Sequence, residues 1–288
     1  MDNESDSDDN LAISVRGLRK TYGKSVAVDG LDLDVRRGEV FSLLGPNGAG
    51  KTTTVEILEG YRSRDGGAVD VLGEDPGRPP KAWRTRIGIV LQSVNDAAEL
   101  TVEEMVGHFA HYYPNPRNPG DVIDLVGLTE KRKARTRQLS GGQRRRLDVA
   151  LGILGRPELL FLDEPTTGFD PEARRQFWSL IRLLNDEDTT IVLTTHYLEE
   201  AEELADRVGV VSAGKIIEVG SPARLGGRDS GKATVPWTGP NGPESEQTDS
   251  PTRVVTELSR RFDGEVPGLA VSRPTLEDVY LKMIGAAR

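Results

Sequence analysis

The sequence predicts an α/β fold built on a mostly parallel sheet, and three observations carry that expectation. Short apolar runs at 39–44, 159–162 and 191–193 do not alternate with polar residues, so they read as strands buried on both faces. The first runs into Gly45-Pro46-Asn47-Gly48-Ala49-Gly50-Lys51-Thr52, a glycine loop of the form GxxxxGK[ST], and the stretch from Thr53 to Leu58 then opens a helix. A helix from Pro171 to Leu184 separates the other two runs and supplies the crossover that a parallel pair needs.

Taken in order, Ile13 to Arg19 and Val26 to Val35 alternate apolar and polar residues and predict an antiparallel edge sheet. Glu99 to Tyr113 has helical spacing, with Leu100, Met105, Phe109 and Tyr112 or Tyr113 as the apolar stripe. Pro114, Pro116 and Pro119 interrupt it, and Asp121 to Val126 restarts a helix. Val208 to Val211 and Lys215 to Val219 form a hairpin across Ala213-Gly214. After Ser221-Pro222 the chain turns rich in Gly, Pro, Ser and Thr, and residues 223–252 read as a linker. A short extension, 253–288, follows, with a helix from Val254 to Phe262, a strand at Leu269 to Val271 and a helix from Thr275 to Ile284 capped by Thr275. The main domain is thus 11–222, preceded by a tail, 1–10, too acidic and polar to bury anything. There is no internal repeat.

Composition narrows the function. The 288 residues contain no cysteine, which excludes disulfide and zinc-thiolate frameworks. No run approaches the ~18 apolar residues of a membrane span, and the acidic start is unlike a secretory signal. A cytosolic chain is expected, with any membrane role exercised through a partner. The net charge is -9, with five acids in the tail, so the body is only mildly acidic and specific nucleic-acid binding is not expected. Residues 131–146 run the other way, with eight Lys and Arg and no acid. They read either as a solvated helical face or as a docking surface for a partner or anionic lipid.

Three groups of residues point to phosphate chemistry. Backbone N–H groups of a glycine loop at a helix start cradle a triphosphate, and Gly45, Gly48 and Gly50 let the backbone come close. Lys51 bridges the β and γ phosphates in such a loop, Thr52 offers its hydroxyl to Mg²⁺, and Thr53 continues the site. Leu159-Leu160-Phe161-Leu162 ends in Asp163-Glu164; a carboxylate at a buried strand end serves a cation, which suits Asp163, and leaves Glu164 as general base toward water. Between them lies Leu139-Ser140-Gly141-Gly142-Gln143, another helix N-terminus with no catalytic side chain.

In this order the three pieces resemble the ATP-binding subunit of an ABC transporter, over most of residues 13–220. The resemblance implies a P-loop NTPase of the ABC ATPase type, with an antiparallel edge sheet, a central mostly parallel sheet, an inserted helical subdomain at about 93–155 and a small C-terminal extension. It implies ATP and Mg²⁺ as ligands. It also implies that a second copy pairs head to tail, so that Ser140, Gly141, Gly142 and Gln143 close over the partner's ATP. Gln92 corresponds to the glutamine that senses Mg²⁺ and water and links to the permease, and His196 to the switch histidine near the γ-phosphate. Asp170, in Gly168-Phe169-Asp170, matches a loop aspartate that follows leucine in most of the family. Tyr22 aligns with the aromatic that stacks on adenine, or is an exposed turn tyrosine.

Soluble branches of the family carry two modules, zinc cysteines or long coiled-coil insertions, none of which fits here. What remains is a transporter subunit at the cytoplasmic face of the membrane, working with a separately encoded transmembrane permease. Leu139 to Asp170 and Pro274-Thr275-Leu276-Glu277-Asp278-Val279-Tyr280 are similar to drug- and antibiotic-exporting members typified by daunorubicin resistance, with Tyr280 where phenylalanine is usual. A soluble ATP-dependent regulator acting on ribosomes or RNA is the alternative, and the basic segment is its support.

Overall fold

The computed structural model describes residues 10–90, 99–229 and 231–286. Gln92 and most of the acidic tail, both singled out from sequence, lie outside them. Two compact units divide the chain, Met1–Val219 and Gly220–Arg288.

In the first unit β1 (Leu11–Tyr22) and β2 (Ser25–Arg36) pair antiparallel, and β4 (Gly66–Val71) pairs with the other side of β1. The first two strands lie where the alternation predicts them, and β4 carries no such signal. It opens on two glycines, and a Cβ on Gly67 would meet the Gly17 carbonyl oxygen at 2.5 Å, so close packing on β1 removes the residues that signal a strand.

The central sheet has six strands: β3 (Val40–Leu44), β5 (Ile87–Val90), β6 (Leu159–Asp163), β7 (Thr190–Thr195), β8 (Arg207–Ser212) and β9 (Lys215–Gly220). Their order is β5-β6-β7-β3-β8-β9, and the pairs from β5 to β8 are parallel. Every residue of β3, β6 and β7 is buried, which is why they are apolar apart from Ser42 and the polar residues at the ends of β6 and β7. β9 returns beside β8 through Ala213 and Gly214, both at positive φ, the primed turn that a two-residue hairpin uses.

Helices cover the sheet. α1 (Lys51–Leu58) and the antiparallel sheet share one core with Phe41, Leu43 and Phe161. On the other side α2 (Val102–Ala110), α3 (Pro119–Leu125), α4 (Gly141–Ile153) and α5 (Pro171–Asp186) bury Val106, Ile123, Leu147, Ile153 and Ile181 in one core with Leu160, Leu162, Ile191 and Leu193. The predicted helix 99–113 is shorter because Thr101 caps it, its hydroxyl accepting from Glu104 N while Glu104 accepts from Thr101 N. Pro119 does not interrupt the chain as expected but is the first helical residue of α3 behind the Asn118 cap, a position where its missing N–H costs nothing. α6 (Leu198–Leu204) follows β7 and went unread.

The second unit corrects the linker. Residues 233–248 are a hairpin, β10 (Ala233–Gly239) against β11 (Gly242–Thr248). Val235 and Trp237 point inward onto Val254, Leu258 and Val266, whereas β11 is polar from Glu244 to Thr248 and exposes Ser245, Glu246 and Gln247, so composition conceals the strand. α7 (Pro251–Arg261) starts earlier than expected, with proline at its first turn. The strand expected at 269–271 is only a backbone bridge, in which Ala270 N donates to Pro236 O and Ser272 pairs with Thr234. α8 (Leu276–Ala286) is led by Thr275, whose hydroxyl accepts from Asp278 N while Asp278 accepts from Thr275 N. Its Val279 lies over Gly226, where any Cβ would collide, so part of its apolar face is spent inside the unit.

Candidate functional site: a phosphate loop facing paired carboxylates

The glycine loop joins β3 to α1, and its shape is enforced by neighbours. A Cβ on Gly45 would lie 2.4 Å from Val211 O, and one on Gly50, which stands at φ +104, would lie 2.4 Å from Ala27 O. Gly48 has no protein neighbour within 4 Å of where a Cβ would stand, and its φ of +79 is a conformation that favours glycine. The Ala213-Gly214 turn stitches the loop to β2, Gly214 N donating to Ala49 O and Asp29 N to Gly214 O. Pro46 is half-buried, Asn47 exposed and Ala49 buried, so the rim faces outward over a fixed base.

Lys51 is 5% exposed, and its Nζ donates to Gly45 O at 2.7 Å and Pro46 O at 3.2 Å. Burial pulls its pKa down, opposed by the negative charges of Glu164 and Asp163. The Thr52 hydroxyl lies 3.5 Å from both carboxylate oxygens of Asp163, at the end of β6. Thr53, the next residue, is half-buried in α1. Thr194, on β7, donates to Asp163 Oδ1 and accepts from Glu164 N at 3.0 Å. Glu164 stands at φ +45, unusual for a side chain with a Cβ. Its Oε1 lies 3.2 Å from His196 Nδ1, and Thr167 Oγ1 donates to its Oε2 at 3.4 Å. The structure therefore brings Lys51, Thr52, Asp163, Glu164 and His196 into one place.

Other sequence candidates sit apart or are engaged locally. Ser140 and Gln143 form a capping box on α4: Gln143 N donates to Ser140 Oγ, and Ser140 N to Gln143 Oε1. Gly141 and Gly142 lead the helix behind that cap with N–H groups that have no intrahelical acceptor. Asp170 caps α5, accepting from Glu172 N and Ala173 N. Tyr22 ends β1, 41% exposed, with Lys20 and Arg62 within 6 Å of its ring.

The donor set fits a nucleotide and its cation. The loop offers backbone donors where side chains cannot enter, and Thr52 with Asp163 offers the oxygen ligands that Mg²⁺ prefers. Among the described residues no cluster of three His, Cys, Asp or Glu could hold a metal alone, so phosphate oxygens would complete the shell.

Comparison with known proteins agrees. A family profile described as "ABC transporter" matches residues 28–167. The chain is 40% identical over 302 residues to the Nod factor export ATP-binding protein I of Ralstonia nicotianae, covering 95% of this chain and 94% of that one. It is 38% identical over 307 residues to the daunorubicin resistance ATP-binding protein DrrA3 of Streptomyces coeruleorubidus, covering 96% and 97%. The solved cbiO1 from Clostridium perfringens, part of the ABC transporter complex cbiONQ, superposes with a TM-score of 0.68 at 27% identity over 75% of this chain and 90% of that one.

The chain belongs to the ATP-binding proteins of ABC transporters. It is a nucleotide-binding ATPase of the exporter type, and its hydrolysis is coupled to transport. No helix among the described residues is long and apolar enough to cross a membrane. Six arginines of this ABC protein's basic segment have partners within the chain or are buried, while Lys131 and Lys133 are exposed. Arg135 and Arg137 share Glu99, Arg132 pairs with Asp124, Arg144 donates to Thr136 O, Arg146 to Gln176, and Arg145 is buried. Thr194, Thr167 and Arg145 were missed from sequence. The pair Thr194-Thr195 at the end of an apolar strand was the available signal for the first.

An apolar groove of about 510 Å³ lies beside β5, lined by Trp83, Ile89, Phe109 and Tyr113. Two carboxylates line it as well. Burial, with Asp163 and Glu56 adding repulsion, pushes the Glu59 carboxyl up to about 8, and burial raises Asp148 to about 6 against the pull of Arg145 and Arg144.

Proposed function

We propose that this ABC ATPase powers efflux of a drug, antibiotic or lipid-like compound through a separately encoded permease at the cytoplasmic face of the membrane. The observation that carries the reading is the convergence of Lys51, Thr52, Asp163, Glu164 and His196 beside the glycine loop. The loop residues Gly45 to Thr53 hold the phosphates, Lys51 holds the β and γ groups, and Tyr22 offers its ring to adenine. Thr52, Asp163 and Gln92 hold Mg²⁺, which when bound neutralises charge on the phosphates. Glu164 takes the proton of the attacking water, and His196, 3.2 Å from it, keeps that carboxylate oriented toward the γ position.

Two copies close head to tail, each offering the α4 N-terminus at Ser140, Gly141, Gly142 and Gln143 to the other's nucleotide, with Asp170 at the shared boundary. Closure is transmitted by way of Gln92 to the permease. The names of the export and resistance relatives support the exporter reading, and the six internally engaged arginines leave the regulator reading without an observation in its favour. Affinity capture from detergent-solubilised native membranes, with Glu164→Gln held in ATP as bait, tests it. A stoichiometric polytopic membrane protein is expected; ribosomal or other soluble partners without a permease would overturn it.

A further inference from the structure

We propose that Arg145 is a positioning residue that ties the signature helix α4 to Glu164 of the same copy, so that engagement of the helix by a second copy sets the general base. Arg145 lies two residues beyond the capping box and is 8% exposed. Its guanidinium donates Nη2 to Asp163 O at 2.5 Å and Nε to Pro165 O at 3.2 Å. Those are the carbonyls on either side of Glu164. The Glu164 N–H is held from the opposite strand by Thr194, Oγ1 at 3.0 Å and O at 3.2 Å.

Glu164 needs this restraint because its φ of +45 is a conformation that side chains rarely adopt and that surrounding structure must impose. A guanidinium presents its donors in a rigid planar fork that fixes the separation of two carbonyls, whereas a lysine ammonium is a compact charge on a flexible stem and does not fix it. A second contact runs in parallel. Phe169 packs beside Gly142, 3.8 Å from where a Cβ would stand, and edge-on against Phe177 of α5. The helix that receives the second copy's nucleotide and the peptide that carries the base are therefore joined through charge-assisted hydrogen bonds, and the Phe169 ring joins the same helix to α5. Burial pulls the Arg145 pKa down, opposed by the negative charges of Asp148, Asp163 and Glu200.

The inference rests on the proposed role of Glu164, and its test separates the two. Arg145→Lys and Arg145→Gln are assayed in the full chain for ATPase kcat and KM, ATP affinity and thermal midpoint. In Arg145→Lys, kcat should fall by about 10–100-fold, the cost of misplacing a reacting group by an ångström or less, with KM and ATP affinity within about threefold of the parent. The double variant Arg145→Lys/Glu164→Gln should turn over no slower than Glu164→Gln alone, since both losses act on one step. Unchanged kcat in Arg145→Lys, additive losses in the double variant, or a fall in ATP affinity parallel to kcat would overturn the tie. A lysine variant that folds too poorly to bind ATP would also overturn it, by making Arg145 structural. Near-normal turnover in Glu164→Gln itself would instead remove the reading of Glu164.

Discussion

Lys51 and Glu59 illustrate how burial at single residues sets both function and pH response. Lys51 is held in the loop by two carbonyls, and its ammonium is the one positive charge placed at the start of α1. Lys51→Ala should weaken ATP binding by about 10–100-fold, in line with loss of a charge-assisted contact, as read by calorimetry. Glu59 is 6% exposed, and its carboxyl titrates near 8, against 4.5 when exposed. The folded chain therefore holds a proton that the unfolded chain has lost between those values, and stability falls as pH rises from 4.5 through about 8. Glu59→Gln should stabilise the protein by roughly 2–4 kcal/mol at pH 9 and by little at pH 4.5, read from denaturant midpoints at the two values. A benefit equal at both would contradict the burial argument. At this scale the motif residues were legible because loop, lysine and paired acids are local in sequence. Thr194 and Arg145 were not, because their contacts cross from β7 and α4 to β6 and no local spacing encodes them.

Helix starts account for several of the elements that frame the site. Asp170 takes both backbone donors at the head of α5, and Ser140 and Gln143 satisfy each other at the head of α4. Asp170→Ala should cost about 1 kcal/mol, the usual loss for an N-cap, seen as a lower thermal midpoint without nucleotide. If Asp170 also serves the shared boundary, ATPase activity at saturating ATP falls further than that stability loss explains. Elements with strong periodicity were read well: β1, β2, β3, β6, β7 and α5 all lie where expected, with ends shifted by a few residues. β4 and the β10–β11 hairpin were missed for related reasons. Glycines replace side chains where β4 presses on β1, and β11 has polar residues along nearly its whole length, so neither shows the alternation that marks a strand. The terminal helix was read from its cap, Thr275 with Asp278, but where its inner face goes was visible only in Gly226.

Over the whole molecule, the first unit wraps two cores around one buried sheet, and the glycine loop and the Asp163-Glu164 pair both sit at strand ends in that sheet. Binding at such a preformed site stabilises the fold by mass action, so ATP with Mg²⁺ at about 100 times its Kd should add ~2.7 kcal/mol, detectable as a rise in thermal midpoint. The sequence made the class legible because three separated motifs had to converge, and a parallel sheet is the arrangement that brings strand ends together. It could not show where the basic arginines point, since Glu99, Asp124 and Gln176 reach them only in the folded chain. The proposed function depends on nucleotide being sandwiched between the glycine loop of one copy and the α4 N-terminus of another. Light scattering of Glu164→Gln with ATP and Mg²⁺ tests it most directly, run beside the same variant carrying Ser140→Arg. An ATP-dependent dimer is expected in the first and a monomer that still binds ATP in the second. Dimers of equal amount in both, or a monomer throughout while ATP is bound, would contradict it.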